Sequence, residues 1–324
     1  MQRIRIYKDG QLADGEVAIS QLDELLAQPN AVGWLDLVDP SSQEIHELAV
    51  RLGLHELAVE DAIKGKQRPK LEHYDSHLFI NVYAASMNES TKELQTHEIS
   101  IFVTDHAIVT VRDDEGFDIN LLTQRWDDSH VLAPNGISFL LWGLLDVIVD
   151  GYFEVINKLD NEVEDLEDLL FAANAVNNTI IQKRSYELRK SLVTLRRVAV
   201  PMREVLNPIV KRDAQVISGN MVAYYQDIYD HIMRVADWTD SLRDLVTTLL
   251  ETNLTIQSNK MNLIMKKVTS WAAIVAVPTA ITGWFGQNLP FFGFGMPYGV
   301  WLSGGAIVVT SISLWAAFKR NDWL

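Results

Sequence analysis

Gln287 and Asn288 form a pair of side-chain amides in a region that carries no charge from Val268 to Phe318. The chain has 43 acidic and 28 basic residues among 324, and all of them lie outside this stretch. An amide at such a place either caps the end of a helix or offers its carbonyl oxygen to a cation or to the water around one. Gly286, directly before the pair, leaves room for the backbone to turn.

Two apolar segments position this pair, and each is long enough to cross a bilayer. The first is VTSWAAIVAVPTAITGWFG, residues 268–286, and the second is GVWLSGGAIVVTSISLWAAF, residues 299–318. The alternative is a buried hairpin of a soluble protein. We disfavour it because charge-free stretches of this length are rare in soluble cores. The sequence therefore predicts a membrane hairpin.

The basic residues around these segments predict their orientation. Lys266 and Lys267 precede the first segment, Lys319 and Arg320 follow the second, and the loop between them carries no charge. The positive-inside rule then places both termini in the cytoplasm and the amide pair on the outer side. We expect a multi-pass protein of the plasma (inner) membrane, with the lipid bilayer as a partner.

One long helix leads into the first segment. No Gly or Pro occurs from Asn220 to Val277, and apolar residues recur at spacings of three and four. At 1.5 Å per residue this predicts a rod of roughly 85 Å, too long for one compact domain. Pro278 falls inside the membrane segment and frees a backbone carbonyl there. We expect a local bend, with either neighbouring helices or the hydroxyl groups of Thr279 and Thr282 available to that carbonyl.

Residues 131–220 predict a cytoplasmic helical hairpin whose charges are sorted. Residues 146–168 carry nine acidic side chains and one lysine, whereas residues 183–197 carry six basic side chains and one glutamate. The turn AANAVNN separates them. We favour an antiparallel pair held in register by complementary charge. The alternative is an acidic surface that concentrates or senses cations.

The first 130 residues predict a cytoplasmic mixed α/β domain. Strand character occurs in RIRIY, VGWLDLV, HLFINVYAAS, HEISIFVT and HAIVTVR, and helical patterns occur around 41–63 and 117–128. The sequence contains no Walker loop, no GxGxxG motif and no catalytic constellation, so we predict no enzyme activity and no required cofactor. The net charge of −15 argues against a nucleic-acid partner and suits a protein that meets cations. The predicted fold class is an α+β domain, a long-helix stalk and two C-terminal transmembrane helices.

The segment SNKMNLIMKKVTSWAAIVAVPTAITGWFGQN and the ending FKRNDWL resemble the CorA family of divalent-cation channels, whose pore helix ends in Gly-Met-Asn. The resemblance is strongest over 221–324 and continues more weakly upstream, in RPKLEHYDSHLF and HEISIFVTDHAIVTVRDDEG. It implies a homopentamer in which the first spans line one axial pore and the second spans pack outside. The predicted parts are the α/β domain 1–130, the hairpin 131–220, the stalk and pore helix 221–288, the outer loop 289–298, the second span 299–318 and the basic tail 319–324.

The resemblance also implies the residues of the pore. The selectivity filter falls on Gly286, Gln287 and Asn288, where five Asn288 carbonyls would accept hydrogen bonds from the water shell of Mg²⁺, which the ion gives up reluctantly. The pore lining and gate fall on Asn262, Met265, Val268, Ala272, Ala276, Thr279 and Gly283. These positions advance by threes and fours and so share one helical face. Fivefold repetition would make Met265 and Val268 a constriction that excludes water; plain helix packing is the alternative.

Two groups of residues bear on which ion is transported and on how transport is regulated. Gln287 stands where the family has Met, giving a Gly-Gln-Asn variant, and the loop LPFFGFGMPYG lacks the acidic residue often present in the family. Gln287 is expected to point away from the axis, because consecutive residues at a helix end lie about 100° apart. Asp227 lies near the family's inter-subunit regulatory cation site, where bound Mg²⁺ favours the closed pore. A solvated charge paired with His231 is an alternative of equal weight.

The predicted function is passive influx of Mg²⁺, or of Co²⁺ or Ni²⁺, with Mg²⁺ also acting as a regulatory ligand. Proton-coupled zinc transport, suggested for a related branch of the family, is the first alternative. Neither span contains an ionisable residue for a proton relay, and this weakens the zinc alternative. A membrane-anchored sensor or scaffold without a pore is the second alternative, and a flux assay separates it from a channel.

Overall fold

The computed structural model of the chain describes residues 2–13, 21–172, 178–211, 217–287 and 295–324. Seven strands form one mixed sheet in the order β2-β1-β3-β7-β6-β5-β4. Strands β3 and β7 pair in parallel, and the other neighbours pair antiparallel. The strands are β1 Gln2–Lys8, β2 Gln11–Leu12, β3 Ala31–Val38, β4 Lys70–His73, β5 Leu78–Met87, β6 Leu94–Val103 and β7 Ala107–Arg112.

Eight α-helices accompany the sheet: α1 Leu22–Leu26, α2 Ser42–Leu52, α3 Glu56–Lys64, α4 Ile119–Asp128, α5 Ile137–Phe171, α6 Asn178–Val210, α7 Val222–Phe285 and α8 Pro297–Arg320, all within the described ranges. The helical pattern predicted around 41–63 is two helices. Gly53 separates them because it adopts the left-handed conformation, with a φ of 64°, that ends α2.

One face of the sheet packs against α1, α2 and α3. Alternate residues of β3, Leu35 and Leu37, join Phe79 and Phe102 in an apolar core. The helices contribute Leu22, Ile45, Leu48, Ala58 and Val59 to the same core. All of these side chains are buried, so this face of the sheet supplies the main hydrophobic stabilisation of the domain.

The opposite face packs against α4 and α5. Trp34 of β3 meets Trp126 of α4 edge to face, with ring centres 5.0 Å apart. The Trp126 indole N–H donates to the carbonyl of Leu140 on α5 at 3.2 Å. Every residue of 137–149 is buried. The first third of α5, which the sequence assigned to a helical hairpin, therefore completes the core of the sheet.

The remainder of α5 packs against α6. Both helices bury aliphatic side chains along this stretch: Leu159, Val163 and Leu166 on α5, and Leu188, Leu192 and Leu195 on α6. Among the described residues, Arg184 is the one basic side chain of α6 that pairs with α5, through Glu162 at 2.8 Å and Asp165 at 3.9 Å. Aliphatic packing thus holds the pair, and charge contributes only the two contacts of Arg184. The predicted AANAVNN turn falls mostly on 173–177, outside the described residues.

Helix α7 is the predicted long helix, with 64 residues and Pro278 inside it. Helices α7 and α8 are both long and apolar enough to cross a membrane. The chain forms two compact units, residues 1–248 and 249–324. The described parts confirm the predicted fold class of an α+β domain, a long helix and two apolar C-terminal helices.

Candidate cation pathway

The predicted pore-lining residues all lie on one exposed face of α7. These are Asn262, Met265, Val268, Ala272, Ala276, Thr279 and Gly283, and each is exposed in the single chain. Met265 is 55% exposed and Val268 57% exposed, although both side chains are apolar. None of the seven side chains carries a charge. The structure thus brings the seven positions onto one neutral surface, and their role as a pore lining stays a prediction.

The opposite face of the same stretch is partly covered. Ser270 is fully buried, and its hydroxyl donates to the carbonyl of Lys266 at 2.8 Å. Residues Ala273, Ile274, Val277 and Ile281 follow at helical spacing and are half-buried. Helix α7 therefore has two faces in this unit, one inward and one open to a partner or to solvent.

Helix α7 continues through Pro278 with hydroxyl groups bonded to its backbone. Thr279 Oγ1 donates to the carbonyl of Val275, and Thr282 Oγ1 to the carbonyl of Thr279, each at 3.0 Å. The proline leaves the carbonyl of Ile274 without its amide donor. Of the two kinds of partner expected for the freed carbonyl, the threonine hydroxyls are wrong because both bond elsewhere, and a neighbouring helix stays a prediction. A threonine hydroxyl reaches back one turn from its own position, and no threonine stands one turn after Ile274.

The helix ends at Phe285, directly before the predicted filter. The Gly286 amide donates to the carbonyl of Thr282 at 2.9 Å, and the Gln287 amide to that of Trp284 at 3.3 Å. A β-carbon on Gly286 would lie 3.0 Å from the Thr282 carbonyl oxygen, so a side chain there would crowd the helix end. Asn288, like most of the predicted loop 289–298, lies outside the described residues, so its role stays a prediction.

Asp227 lies on α7, in the first of the two units. Its side chain is 65% exposed, and His231 Nε2 is 3.7 Å from its Oδ1. The described residues contain no group of three or more His, Cys, Asp and Glu side chains that would hold a metal ion within one chain. The pairing with His231 that the sequence offered as an alternative is thus present, and a regulatory cation at Asp227 would need ligands from another chain.

The acidic side chains of α5 make ion pairs mainly with basic residues outside α6. Arg125 of α4 contacts Asp146 and also Asp150, at 2.7 Å from the latter. Glu162 contacts Lys92 as well as Arg184. Burial alone would raise the pKa of Glu162, but the bonds from Lys92 and Arg184 outweigh it and hold the pKa below its usual value.

The structure contains two contacts of charged side chains that the sequence did not predict. In the sheet domain, Asp36 and Arg112 form a buried ion pair with side chains 4% and 6% exposed. At the C-terminus, the ammonium of Lys266 lies 6.0 Å from the ring centre of Trp323. The sequence signal for the first was a charged residue inside each of two apolar strands.

Comparison with known proteins extends over nearly the whole chain. The family described as "CorA-like Mg2+ transporter protein" matches residues 29–320. The cobalt/magnesium transport protein CorA of Thermotoga maritima is 30% identical over 278 residues, which are 84% of this chain and 77% of that protein. The zinc transport protein ZntB of Yersinia pestis is 26% identical over 312 residues, which are 90% of this chain and 88% of that protein.

A solved structure has the same fold. The complete structure of the CorA magnesium transporter from Methanocaldococcus jannaschii gives a TM-score of 0.81 at 23% identity. The match covers 99% of this chain and 98% of that one. The sheet domain, the long helix and the two C-terminal apolar helices therefore have counterparts in one known architecture.

Proposed function

Because the chain belongs to the family of CorA-like Mg²⁺ transporters, we propose that it is a homopentameric channel that admits Mg²⁺ passively into the cytoplasm. One observation carries the proposal: seven residues at helical spacing form an exposed, uncharged face on a helix long enough to cross a bilayer. A neutral face that is bare in one chain is what five copies need to surround a pore.

The selectivity step is assigned to Asn288. Mg²⁺ holds an octahedral water shell tightly, so a first filter binds the ion through that shell. A ring of five amide carbonyls accepts hydrogen bonds from these polarised waters without trapping the ion, as five carboxylates would. Gly286 is consistent with the assignment because it stands directly after the last residue of α7.

The gate is assigned to Met265 and Val268. An apolar ring of small radius blocks ions by excluding water, and the pore conducts when the ring widens. Asp227 supplies the regulation: Mg²⁺ bound between neighbouring chains at this carboxylate favours the closed arrangement. Mg²⁺ is thus both the transported ion and the regulatory ligand, and no other cofactor is invoked.

A liposome uptake assay with Mg²⁺, Co²⁺, Ni²⁺ and Zn²⁺ in turn, with and without a pH gradient, tests the proposal. We expect Mg²⁺ uptake that is independent of the pH gradient and is abolished by Asn288→Ala. Gln287→Ala is the matched control, because it removes the adjacent amide and should retain uptake. Absence of uptake for every ion would leave a non-conducting sensor or scaffold and refute the channel.

Proton-coupled zinc transport is the second candidate because of the similarity to the zinc transport protein ZntB. The segment 268–318 contains no ionisable side chain, so a proton relay through either span would have to use water. Zinc uptake that requires a pH gradient, with little Mg²⁺ uptake, would favour this candidate over the first.

A further inference from the structure

The chain folds back on itself after α8. The amide of Asp322 donates to the carbonyl of Lys319 at 3.3 Å, and the amide of Trp323 donates to the carbonyl of Phe318 at 2.9 Å. Asp322 between them has a φ of 56°. This pair of bonds around one left-handed residue is the Schellman arrangement that ends many helices. It turns Trp323 back toward the last turns of α8.

The turn places Trp323 between two helices. Its ring stacks on Phe318 of α8, with ring centres 5.7 Å apart and planes 10° apart. The ammonium of Lys266 on α7 lies 6.0 Å from the centre of the same ring, within the range of a cation–π attraction. Trp323 therefore connects the inner end of α8 to α7, and both belong to the second unit.

The contact lies beside the residues assigned to the gate. Trp323, Lys266, Asn262 and Met265 together line an open cleft of about 610 Å³. Lys266 directly follows Met265 in the chain, so restraint of one backbone position restrains the other. Aspartate enters the left-handed region more readily than most residues, and the two hydrogen bonds at the helix end offset its remaining cost.

We propose that Trp323 is a positioning residue that holds α7 against α8 at Lys266 and thereby stabilises the narrow arrangement of Met265. The inference rests on the proposed function, since it presupposes that Met265 lines the gate. Widening the constriction requires α7 to move at this level, and that movement separates the Lys266 ammonium from the Trp323 ring. Loss of the ring therefore makes opening easier at a given concentration of regulatory Mg²⁺.

The chain offers a matched control. Lys319 lies 4.7 Å above the ring of Trp315, four residues earlier in the same helix. Trp315→Ala removes a tryptophan and a cation–π contact from the same end of the protein, but that contact lies within α8. Trp323→Ala removes the contact that joins two helices. A comparison of the two variants separates positioning of α7 from general loss of an interfacial tryptophan.

The test measures Mg²⁺ uptake into liposomes by the full-length protein at increasing Mg²⁺ on the cytoplasmic side. For Trp323→Ala we expect the half-inhibiting Mg²⁺ concentration to rise about two- to fivefold, the weight of one cation–π contact. Lys266→Gln should give a similar rise, and the double variant no more than either single variant. Trp323→Phe, which keeps an aromatic ring, should restore most of the wild-type value, and Trp315→Ala should match the wild type.

An unchanged half-inhibiting concentration in Trp323→Ala or additive shifts in the double variant would overturn the inference. If Trp323→Ala fails to fold, Lys266→Gln decides alone, and a wild-type curve for it refutes the proposal. These outcomes presuppose that the wild-type protein conducts Mg²⁺. A wild-type protein without uptake would refute the proposed function itself, so the two failures are distinguishable.

Discussion

Replacement of Asp227 by asparagine separates regulation from folding. The proposed regulatory role predicts a large effect on inhibition by Mg²⁺, and the structure predicts a small effect on stability. The Asp227 side chain is 65% exposed, and its partner His231 lies 3.7 Å away, one helical turn on. An exposed pair of this kind contributes about 0.3–0.5 kcal/mol to a helix. Asp227→Asn should therefore leave the unfolding midpoint of the protein nearly unchanged.

The effect on a bound dication is larger. In surroundings close to water, two unit charges about 4 Å apart attract by about 1 kcal/mol, so a carboxylate gains about 2 kcal/mol from Mg²⁺. That loss corresponds to about a thirtyfold weaker affinity. Because bound Mg²⁺ is proposed to favour the closed pore, Asp227→Asn channels should close only at about thirtyfold higher cytoplasmic Mg²⁺.

The assay is Mg²⁺ uptake into liposomes against cytoplasmic-side Mg²⁺, with thermal unfolding measured on the same samples. Asp230→Asn is the matched control: Asp230 is an exposed carboxylate on the same helix, hydrogen-bonded to Gln226 at 3.0 Å. Superimposable inhibition curves for the wild type and Asp227→Asn would refute the regulatory role. An equal shift in Asp230→Asn would show that the general charge of the helix, and no specific site, is responsible.

Four further predictions concern the filter and the cytoplasmic domain. Asn288→Asp should slow Mg²⁺ release and lower the maximal flux, because five carboxylates hold the dication longer, and flux above wild type would contradict this. Gln287→Met should leave the ratio of Mg²⁺ to Co²⁺ flux nearly unchanged; a large shift would place Gln287 in the filter. Asp36→Ala should destabilise the protein by about 3–5 kcal/mol in chemical denaturation, because it strands the buried Arg112 guanidinium. Glu162 has a folded-state pKa below its ordinary value of 4.5, so its stabilisation is present above pH 4.5 and is lost as pH falls further; Glu162→Gln should flatten the acid limb of the stability profile.

Much of the fold followed from periodicity alone. The five predicted strands are central or near-central in the sheet and carry enough β-branched or aromatic residues to be recognised. The two-residue strand β2, the short helix α1 and β4, with one aliphatic residue in KLEH, were missed because such short segments have no clear period. The break at Gly53 was missed because the apolar pattern continues on both sides of it.

The sequence did not reveal the partner of residues 137–149, the contact between α5 and α6 or the turn at Asp322, and the first two of these depend on tertiary packing. Residues 137–149 are buried on all sides, so they show no polar face that would reveal which partner covers them. The α5–α6 pair looked electrostatic because its charges are sorted, yet most basic residues of α6 find no partner on α5 among the described residues. The turn at Asp322 was not foreseen because a left-handed helix end usually carries glycine or asparagine.

The residues of the candidate pathway share one face of a helix, and residue spacing along the sequence is enough to predict such a face. The family resemblance implied seven positions, their spacings of three and four placed them on one helical face, and the structure leaves all seven exposed. The contact between Lys266 and Trp323 was not predictable in this way, because it joins residues 57 positions apart through a turn at the chain end. Sequence periodicity identifies the face of a helix, and only the fold identifies its neighbours.

The most direct test of the central claim is a single-cysteine accessibility scan of α7 from 262 to 283. The chain has no cysteine, so each introduced thiol is the only one present. In the active protein, a cationic thiol reagent should block Mg²⁺ flux at Met265, Val268, Ala272, Ala276 and Thr279. It should spare Ala273, Ile274 and Val277 on the covered face. Block at the covered positions, or block without helical periodicity, would contradict the claim that the exposed face of α7 lines the pore.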